Sequence, residues 1–233
     1  MPHNFHPTTL REYDIRGIIG ETLGAEDAYA IGRGFATLLG RAGGKKVAVG
    51  YDGRVSSPML EAALIKGITE SGLDAVSVGM GPTPMLYYAE AVLDDVDGGI
   101  QITGSHNPAN YNGFKMVFQG RPFFGADIQQ LGAMAAAGDW AEGAGSASSF
   151  DIIDQYVARI AEAAPDKPFR IGWDTGNGAA GPVVERLVKL LPGEHHTLFT
   201  EVDGEFPNHH PDPTEEKNLV DLKQLVAEKQ LDF

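Results

Sequence analysis

Short apolar runs alternate with longer amphipathic stretches along the first half of the chain. The apolar runs predict three strands: Lys46–Gly50, Leu73–Val78 and Gly98–Thr103. The stretches between them have helical spacing and predict three helices: Ala25–Leu39, Ser57–Ser71 and Met85–Leu93. Ahead of these elements, Leu10–Gly20 has the pattern of a strand or an extended loop. Because strand, loop and helix repeat in this order, the sequence predicts an α/β sheet.

The second half of the chain repeats this kind of pattern after a change in composition. Residues Gly138–Ser149 are rich in Gly, Ala and Ser, which is typical of a linker. The elements predicted beyond it are helix Phe150–Ala164, strand Phe169–Trp173, helix Gly181–Leu191 and helix Leu219–Lys229. A strand, an Asp-Gly loop and a helix follow one another both at Val47–Gly53 and at Arg170–Gly178.

We therefore predict two consecutive α/β domains with mixed sheets covered by helices, at residues 1–147 and 148–233. Leu231–Phe233 has the pattern of a strand that is just beginning. The second domain is also short for its class, so we expect it to be incomplete.

Composition and charge exclude several classes of function. Hydrophobic residues make up 42% of the 233 residues and charged residues 21%, as in an ordinary folded protein. The absence of cysteine excludes disulfides, a thiolate nucleophile and Cys-ligated zinc. A net charge of -14 argues against nucleic acid and anionic membranes as partners. The polar N-terminus lacks a signal-peptide pattern and no run is apolar enough to span a membrane, so we expect a cytoplasmic protein.

Candidate chemistry is concentrated in Gly99–Val117, where a predicted strand leads into a Gly-flanked serine. Ser105 is followed at once by His106, and Lys115 lies ten residues further on. A hydrolase elbow needs Gly two residues after the serine, and a Walker A loop needs Gly-Lys-Ser/Thr, so both are excluded. The alternative is a polar turn whose Ser and Asn cap a helix.

For the other polar segments, the sequence favours a structural role over a role in a binding or catalytic site. For Arg54 and Ser56–Ser57, helix capping is a better explanation than contact with a site. The side chains of His209 and His210 point apart, which disfavours a metal pair. Asp174–Gly178 could bind phosphate through backbone N–H groups, but a tight turn from strand to helix is favoured.

The segment Thr103–Pro108 (TGSHNP), followed by Asn112–Lys115 (NGFK), resembles the phosphoserine loop of the α-D-phosphohexomutases. Three further segments resemble signatures of that family in the same order: Arg11–Gly17, Gly81–Pro84 and Asp203–Pro213. The ending Tyr111–Lys115 resembles the phosphomannomutase/phosphoglucomutase group. Phosphoglucosamine mutases, a third possibility, more often have Asp-Asn-Gly-Ile-Lys there.

The resemblance implies an isomerase of the phosphotransferase type, which interconverts hexose 6-phosphate and hexose 1-phosphate of mannose and/or glucose. Ser105 would be the phosphoserine of this phosphoprotein, and a bisphosphorylated sugar the intermediate. The catalytic residues implied are Ser105, His106, Lys115 and Arg16. The substrate-binding residues implied are Tyr13, Arg16, Asn107 and Lys115.

The resemblance also implies Mg²⁺, to which Ser105 contributes through its phosphate, and a glucose 1,6-bisphosphate-type activator. The family has four domains, and its Asp-Gly-Asp-Gly-Asp metal loop does not occur in residues 1–233. We therefore expect the carboxylate ligands beyond the chain end, on further domains of the same protein or on a second chain. We expect the chain alone to have negligible mutase activity. The alternative is a non-catalytic short homologue that binds a phosphosugar or a partner.

Overall fold

A computed structural model describes all residues, Met1–Phe233. The strands are β1 (Ile15–Ile18), β2 (Lys46–Tyr51), β3 (Asp74–Met80), β4 (Gly98–Ile102), β5 (Tyr111–Phe118), β6 (Arg121–Phe123), β7 (Ala147–Ser149), β8 (Phe169–Asp174) and β9 (Gly193–Leu198). The α-helices are α1 (Ala25–Arg41), α2 (Ser57–Glu70), α3 (Thr83–Val92), α4 (Ala126–Ala137), α5 (Ile153–Ala161), α6 (Gly181–Leu187) and α7 (Val220–Lys229). A short 3₁₀ turn, Glu216–Leu219, precedes α7.

Most strands of the chain form one seven-stranded mixed sheet in the order β1-β5-β4-β2-β3-β7, with β6 beside β5. Strands β4, β2, β3 and β7 run parallel, whereas β5 is antiparallel to both β4 and β1. A second sheet consists of the parallel strands β8 and β9. The α/β class predicted from the sequence is thus confirmed.

Helices α1 and α2 pack closely because each presents a glycine to the other. A Cβ on Gly32 would lie 2.3 Å from the carbonyl oxygen of Leu64, and one on Gly67 would lie 2.3 Å from that of Tyr29. Any side chain at these positions would force the helices apart. The large core beneath them joins both helices to the sheet, with fully buried residues such as Phe35.

A second core lies between the two halves of the chain. Val76, Val78 and Leu86 from the first half form one buried cluster with Val183 and Leu187 from the second. Burial of apolar surface is the main favourable term in folding, so this cluster stabilises the contact between the halves. We refer to residues 1–147 and 148–233 as the first and second units; their division falls inside β7 and stays a prediction.

The segment 138–149 differs from the predicted linker. Arg33 of α1 donates to the carbonyl oxygen of Ala141 and to the carboxylate of Glu142, at 2.9 and 2.7 Å. The N–H groups of Gly143 and Gly145 donate to carbonyl oxygens of α2, and β7 then extends the sheet beside β3. The segment is therefore fixed to α1, α2 and β3, and its small residues permit close packing rather than flexibility.

Other boundaries shifted in smaller ways. Helix α5 begins later than predicted, because the carboxylate of Asp151 accepts from the N–H of Ile153 at 3.1 Å. Leu231–Phe233 does not form a strand. It is nevertheless bonded to β8, because the N–H of Asp232 donates to Arg170 O and the N–H of Gly172 donates to Phe233 O, both at 2.8 Å. None of the helices has the length and apolar character needed to cross a membrane.

Candidate active site

Three loops meet where the parallel strands β2, β3 and β4 end. Carboxyl ends of neighbouring parallel strands lie at one edge of a sheet, which is where open α/β sheets place their ligands. Here β2 leads into Asp52–Arg54, β3 into Gly81–Thr83, and β4 into Thr103–Ser105. The serine singled out by its sequence therefore lies at the edge that the fold favours for binding.

Ser105 lies at an exposed tip of the serine loop, residues 103–111. Its backbone is left-handed, with φ of 52°, a conformation that non-glycine residues adopt rarely and often at functional sites. The hydroxyl of Thr103 accepts from the Ser105 N–H at 2.9 Å. The amide of Asn107 donates to the carbonyl oxygen of Gly104 at 2.9 Å. No helix follows, because the next element is β5, so the helix-capping alternative for Ser105 and Asn107 is wrong.

Arg54 lies beneath the serine loop with only 1% of its surface exposed. Its guanidinium donates to four backbone carbonyl oxygens of the loop, those of Ser105 (2.9 Å), Asn107 (2.7 Å), Pro108 (2.5 Å) and Tyr111 (3.1 Å). Its remaining N–H, on Nε, donates to Asp52 at 3.1 Å. Burial lowers the pKa of Arg54, and the adjacent Asp52 opposes that change. Helix capping, the role expected from the sequence, does not describe this residue.

Asp52 connects the loop after β2 to the loop after β4. Its carboxylate accepts from the N–H of Gly104 at 3.0 Å and from the hydroxyl of Ser57 at 2.7 Å, besides Arg54. The buried amide of Asn112 donates to that same hydroxyl at 2.9 Å. A carboxylate that accepts several hydrogen bonds is held in one orientation, so Asp52 fixes the entry of the serine loop.

A cleft of about 240 Å³ opens beside Ser105, between the two units. Its first-unit wall includes Pro82 and Thr103, and its second-unit wall includes Thr175, Ala179 and Phe206. The predicted turn at Asp174–Gly178 therefore exists and also forms part of this wall. A concave, mixed-polarity cleft of this kind suits a small polar ligand.

Arg16 and Lys115 lie together through a shared carboxylate. The guanidinium of Arg16 donates to Asp14, and the Lys115 ammonium lies 3.7 Å from the same oxygen. Arg16 is 9% exposed, and its Nε–H has no acceptor in the protein. Arg16 pairs with Gly113 of β5, whose carbonyl oxygen accepts from the N–H of Thr103 at 2.9 Å, so the Arg16 backbone lies near the start of the serine loop. The two cations exceed their one carboxylate, so the group carries net positive charge in a strongly acidic protein.

The remaining candidate residues are more scattered. Tyr13 is 75% exposed and stacks on Phe124, and both line a separate pocket of about 270 Å³ with Lys115. His106 is exposed on the serine loop, next to Ser105. Of the predicted catalytic and substrate-binding residues, only Ser105 lines the cleft.

Side chains that could ligate a metal are not clustered in this chain. No group of three or more His, Asp or Glu side chains is arranged to hold a metal ion. Asp52, which borders the cleft, is already engaged by Arg54, Ser57 and Gly104. His209 binds Asp174 at 3.0 Å and His210 O at 3.0 Å, which agrees with the structural role predicted for it.

Three residues at this site were not predicted from the sequence: Arg54, for which helix capping was favoured, and Asp52 and Phe206, which were not candidates. The contacts that join them to the serine loop and to each other span about 50 residues or more, as between Asp52 and Gly104 or Arg54 and Phe206, and leave no local spacing pattern. Asp52-Gly53-Arg54 directly after a buried strand was the one available signal, because such a position lies at the binding edge of an α/β sheet.

The models of one protein family match most of this chain. The family model "Phosphoglucomutase/phosphomannomutase, alpha/beta/alpha domain I" matches residues 7–142, and the model of domain II matches residues 153–233. The chain belongs to the phosphoglucomutase/phosphomannomutase family, as the resemblance in its motifs predicted.

Named relatives agree with this assignment. The chain is 44% identical over 225 residues to a phosphomannomutase/phosphoglucomutase of Pseudomonas aeruginosa, covering 96% of this chain and 48% of that protein. It is 44% identical over 216 residues to a phosphoglucomutase of Neisseria gonorrhoeae, covering 91% and 47% respectively. A crystal structure of a phosphoglucomutase/phosphomannomutase family protein from Burkholderia thailandensis superposes with a TM-score of 0.94 at 43% identity, covering 97% of this chain and 51% of that one. The chain thus spans about half the length of the curated relatives it matches.

Proposed function

We propose that this chain is part of an intramolecular phosphotransferase that interconverts hexose 6-phosphate and hexose 1-phosphate, of mannose and/or glucose. The observation that carries the proposal is Ser105, an exposed hydroxyl held in a left-handed conformation at the edge of a two-walled cleft. The names of the 44%-identical relatives support the same activity.

In the proposed reaction, the bond between Ser105 Oγ and phosphorus breaks as a sugar hydroxyl attacks the phosphorus. The hydroxyl proton passes to a nearby base, for which His106 and Lys115 are the candidates. Ser105 Oγ then attacks the other phosphorus of the bisphosphorylated sugar, the bond from that phosphorus to the sugar oxygen breaks, and the base returns the proton to that oxygen, so no phosphate is consumed. Such transfer depends chiefly on positioning and charge neutralisation.

Cations are required because a phosphoserine carries about -1.5 to -2 charges near neutral pH. The guanidinium of Arg16 is the proposed phosphate contact, since guanidinium groups bind phosphate through paired donors. Lys115 supplies a second positive charge beside Asp14. Tyr13 and Asn107 remain proposed substrate contacts.

Mg²⁺ and a glucose 1,6-bisphosphate-type activator belong to the proposal, as does a cytoplasmic location. The Ser105 phosphate would help to hold the metal, and the carboxylate ligands are proposed to lie outside these 233 residues. The proposed source is a further part of the same protein or a second chain.

The test uses the full product of the gene, incubated with glucose 1,6-bisphosphate and Mg²⁺. Mass spectrometry should find one phosphoryl group on Ser105, and mannose 1-phosphate or glucose 1-phosphate should be converted to the 6-phosphate. Ser105→Ala should lose both, whereas Ser149→Ala, on the exposed strand β7, should lose neither. Turnover by Ser105→Ala would overturn the proposal. Phosphosugar binding without transfer in the wild type would support the non-catalytic alternative.

A further inference from the structure

The segment Asp203–Phe206 packs directly on the loop that carries Arg54. A Cβ on Gly204 would lie 2.7 Å from both the carbonyl oxygen of Gly53 and the N–H nitrogen of Val55. The two backbones therefore touch, and only glycine permits this distance. We call Asp203–Phe206 the covering turn.

The covering turn is held in its own shape by local hydrogen bonds. The Asp203 carboxylate accepts from the N–H of Glu205 at 2.9 Å, and the Asp203 carbonyl oxygen accepts from the N–H of Phe206 at 3.1 Å. Phe206 has a left-handed backbone, with φ of 53°. The centroid of that ring lies 5.2 Å from the guanidinium carbon of Arg54.

The guanidinium beneath this ring uses every donor it has. An arginine side chain carries five N–H groups, and those of Arg54 go to Asp52 and to the four carbonyl oxygens of the serine loop. A lysine has three donors in a different geometry and could not reproduce this set. The arrangement thus requires arginine specifically.

Arg54 also determines which backbone groups of the serine loop face outward. In a trans peptide the C=O and the following N–H point in opposite directions, and the chain has no cis peptide bond. Because Ser105 O points at Arg54, the N–H of His106 points away from it and donates to no group of the protein. Outward N–H groups of this kind attract anions.

We infer that Arg54 is a positioning residue for Ser105, and that Phe206 of the second unit supports this role by covering the Arg54 guanidinium. The inference rests on the proposed function for what Ser105 does, but the ordering of the loop is independent of it. The inference gives the Asp203–Pro213 segment of the second unit a role. This segment holds the serine loop of the first unit in the conformation that presents the Ser105 hydroxyl and the outward N–H of His106.

The experiment compares Arg54→Lys and Phe206→Leu with matched controls elsewhere on the molecule, Arg41→Lys and Phe150→Leu. Arg41 forms an exposed pair with Asp139, and Phe150 is partly exposed away from the loop. Amide hydrogen exchange is measured across residues 103–111 in the full gene product, after circular dichroism has shown that each variant is folded. Exchange there should accelerate at least about tenfold in Arg54→Lys, since each lost bond involves a charged donor. Phe206→Leu should accelerate it about two- to tenfold, the range of a cation–π contact.

Kinetics distinguish this inference from the proposed function. In the same protein, both variants should lower kcat for mutase turnover while KM for the hexose phosphate changes little, because the nucleophile and not the ligand is displaced. Unchanged loop exchange in Phe206→Leu, with turnover intact, would overturn the covering role. Unchanged exchange in a folded Arg54→Lys would overturn the positioning role. If exchange accelerates but no variant or wild type shows phosphoryl transfer, the proposed function fails and the loop ordering stands.

Discussion

The guanidinium of Arg54 donates to the carbonyl oxygen of Ser105 over 2.9 Å, although 51 residues separate them in the chain. The contact joins the loop after β2 to the loop after β4, so neither loop keeps its shape without the other. An exposed serine in a left-handed conformation would otherwise relax to a commoner backbone geometry. The proposed nucleophile therefore depends on a buried cation beneath it.

Gly104→Ala should destabilise the protein, because the new Cβ would lie 2.3 Å from the Arg54 guanidinium carbon. Overpacking of this kind costs about 1–3 kcal/mol, and here the displaced group is the one that orders the serine loop. Urea denaturation measures the loss. Gly24→Ala is the matched control, since its nearest neighbour lies 4.0 Å away, and it should cost clearly less. Equal losses at both positions would contradict the clash.

Arg33→Ala should release segment 138–149 from α1. The buried guanidinium of Arg33 donates to Ala141 O, a charged hydrogen bond worth about 1.5–3 kcal/mol, and to the exposed carboxylate of Glu142, which contributes less. Arg41→Ala removes an arginine from the same helix, but its pair with Asp139 is exposed and should contribute less than about 1 kcal/mol. Limited proteolysis should cut within 138–149 in the Arg33 variant only. Similar cleavage in both variants would show that Arg33 does not hold the segment.

The two units should unfold in one transition. Each contains one tryptophan, Trp140 in the first and Trp173 in the second, so the variants Trp140→Phe and Trp173→Phe each report on a single unit by fluorescence. Because Leu187 packs in the cluster shared by both units, Leu187→Ala should lower the free energy of unfolding by about 2–5 kcal/mol and shift both reporters equally. Two separate transitions would show that the cluster does not couple the units.

His209 should make stability depend on pH. Burial disfavours its charged form, but hydrogen bonds to His210 O and the Asp174 carboxylate outweigh this and raise its pKa. Both partners are acceptors, so the doubly protonated ring satisfies both. A raised pKa gives stability that is fully present below the ordinary value of 6.5 and is lost as the pH rises through the folded value.

Melting temperature measured against pH tests this. From pH 6.5 upward the wild type should lose stability relative to His209→Gln, which has no such titration. His6→Gln, at an exposed residue that bonds Thr8, should instead follow the wild type. If His209→Gln and the wild type give parallel curves, the charged ring contributes nothing.

The parts of the fold that the sequence predicted are those with local patterns. Strand β2 is a β-branched run, and α1 has apolar residues at helical spacing, so both were located within about two residues. Strand β7 (ASS) is short and fully exposed, so nothing in its composition marks it as a strand. Its pairing depends on Arg33 and Asp74, which bond residues 141–146 from far along the chain.

At the candidate site too, the residues with a local sequence pattern were predicted and those without one were not. Ser105, His106 and Asn107 stood out because a strand delivers them on a glycine turn, and all three lie on the serine loop. The role of Arg54 could not be predicted, because its partners are backbone carbonyls whose position depends on the folded loop. The site roles of the named residues stay predictions.

The cluster shared by the two units also limits how the cleft can move. Domains hinge freely when the interface between them is small and polar, whereas here Val183 and Leu187 are buried against residues of β3 and α3. A hinge motion would expose this apolar surface to water. Because that exposure is unfavourable, we expect the shared cluster to restrain relative motion of the two walls beside Ser105.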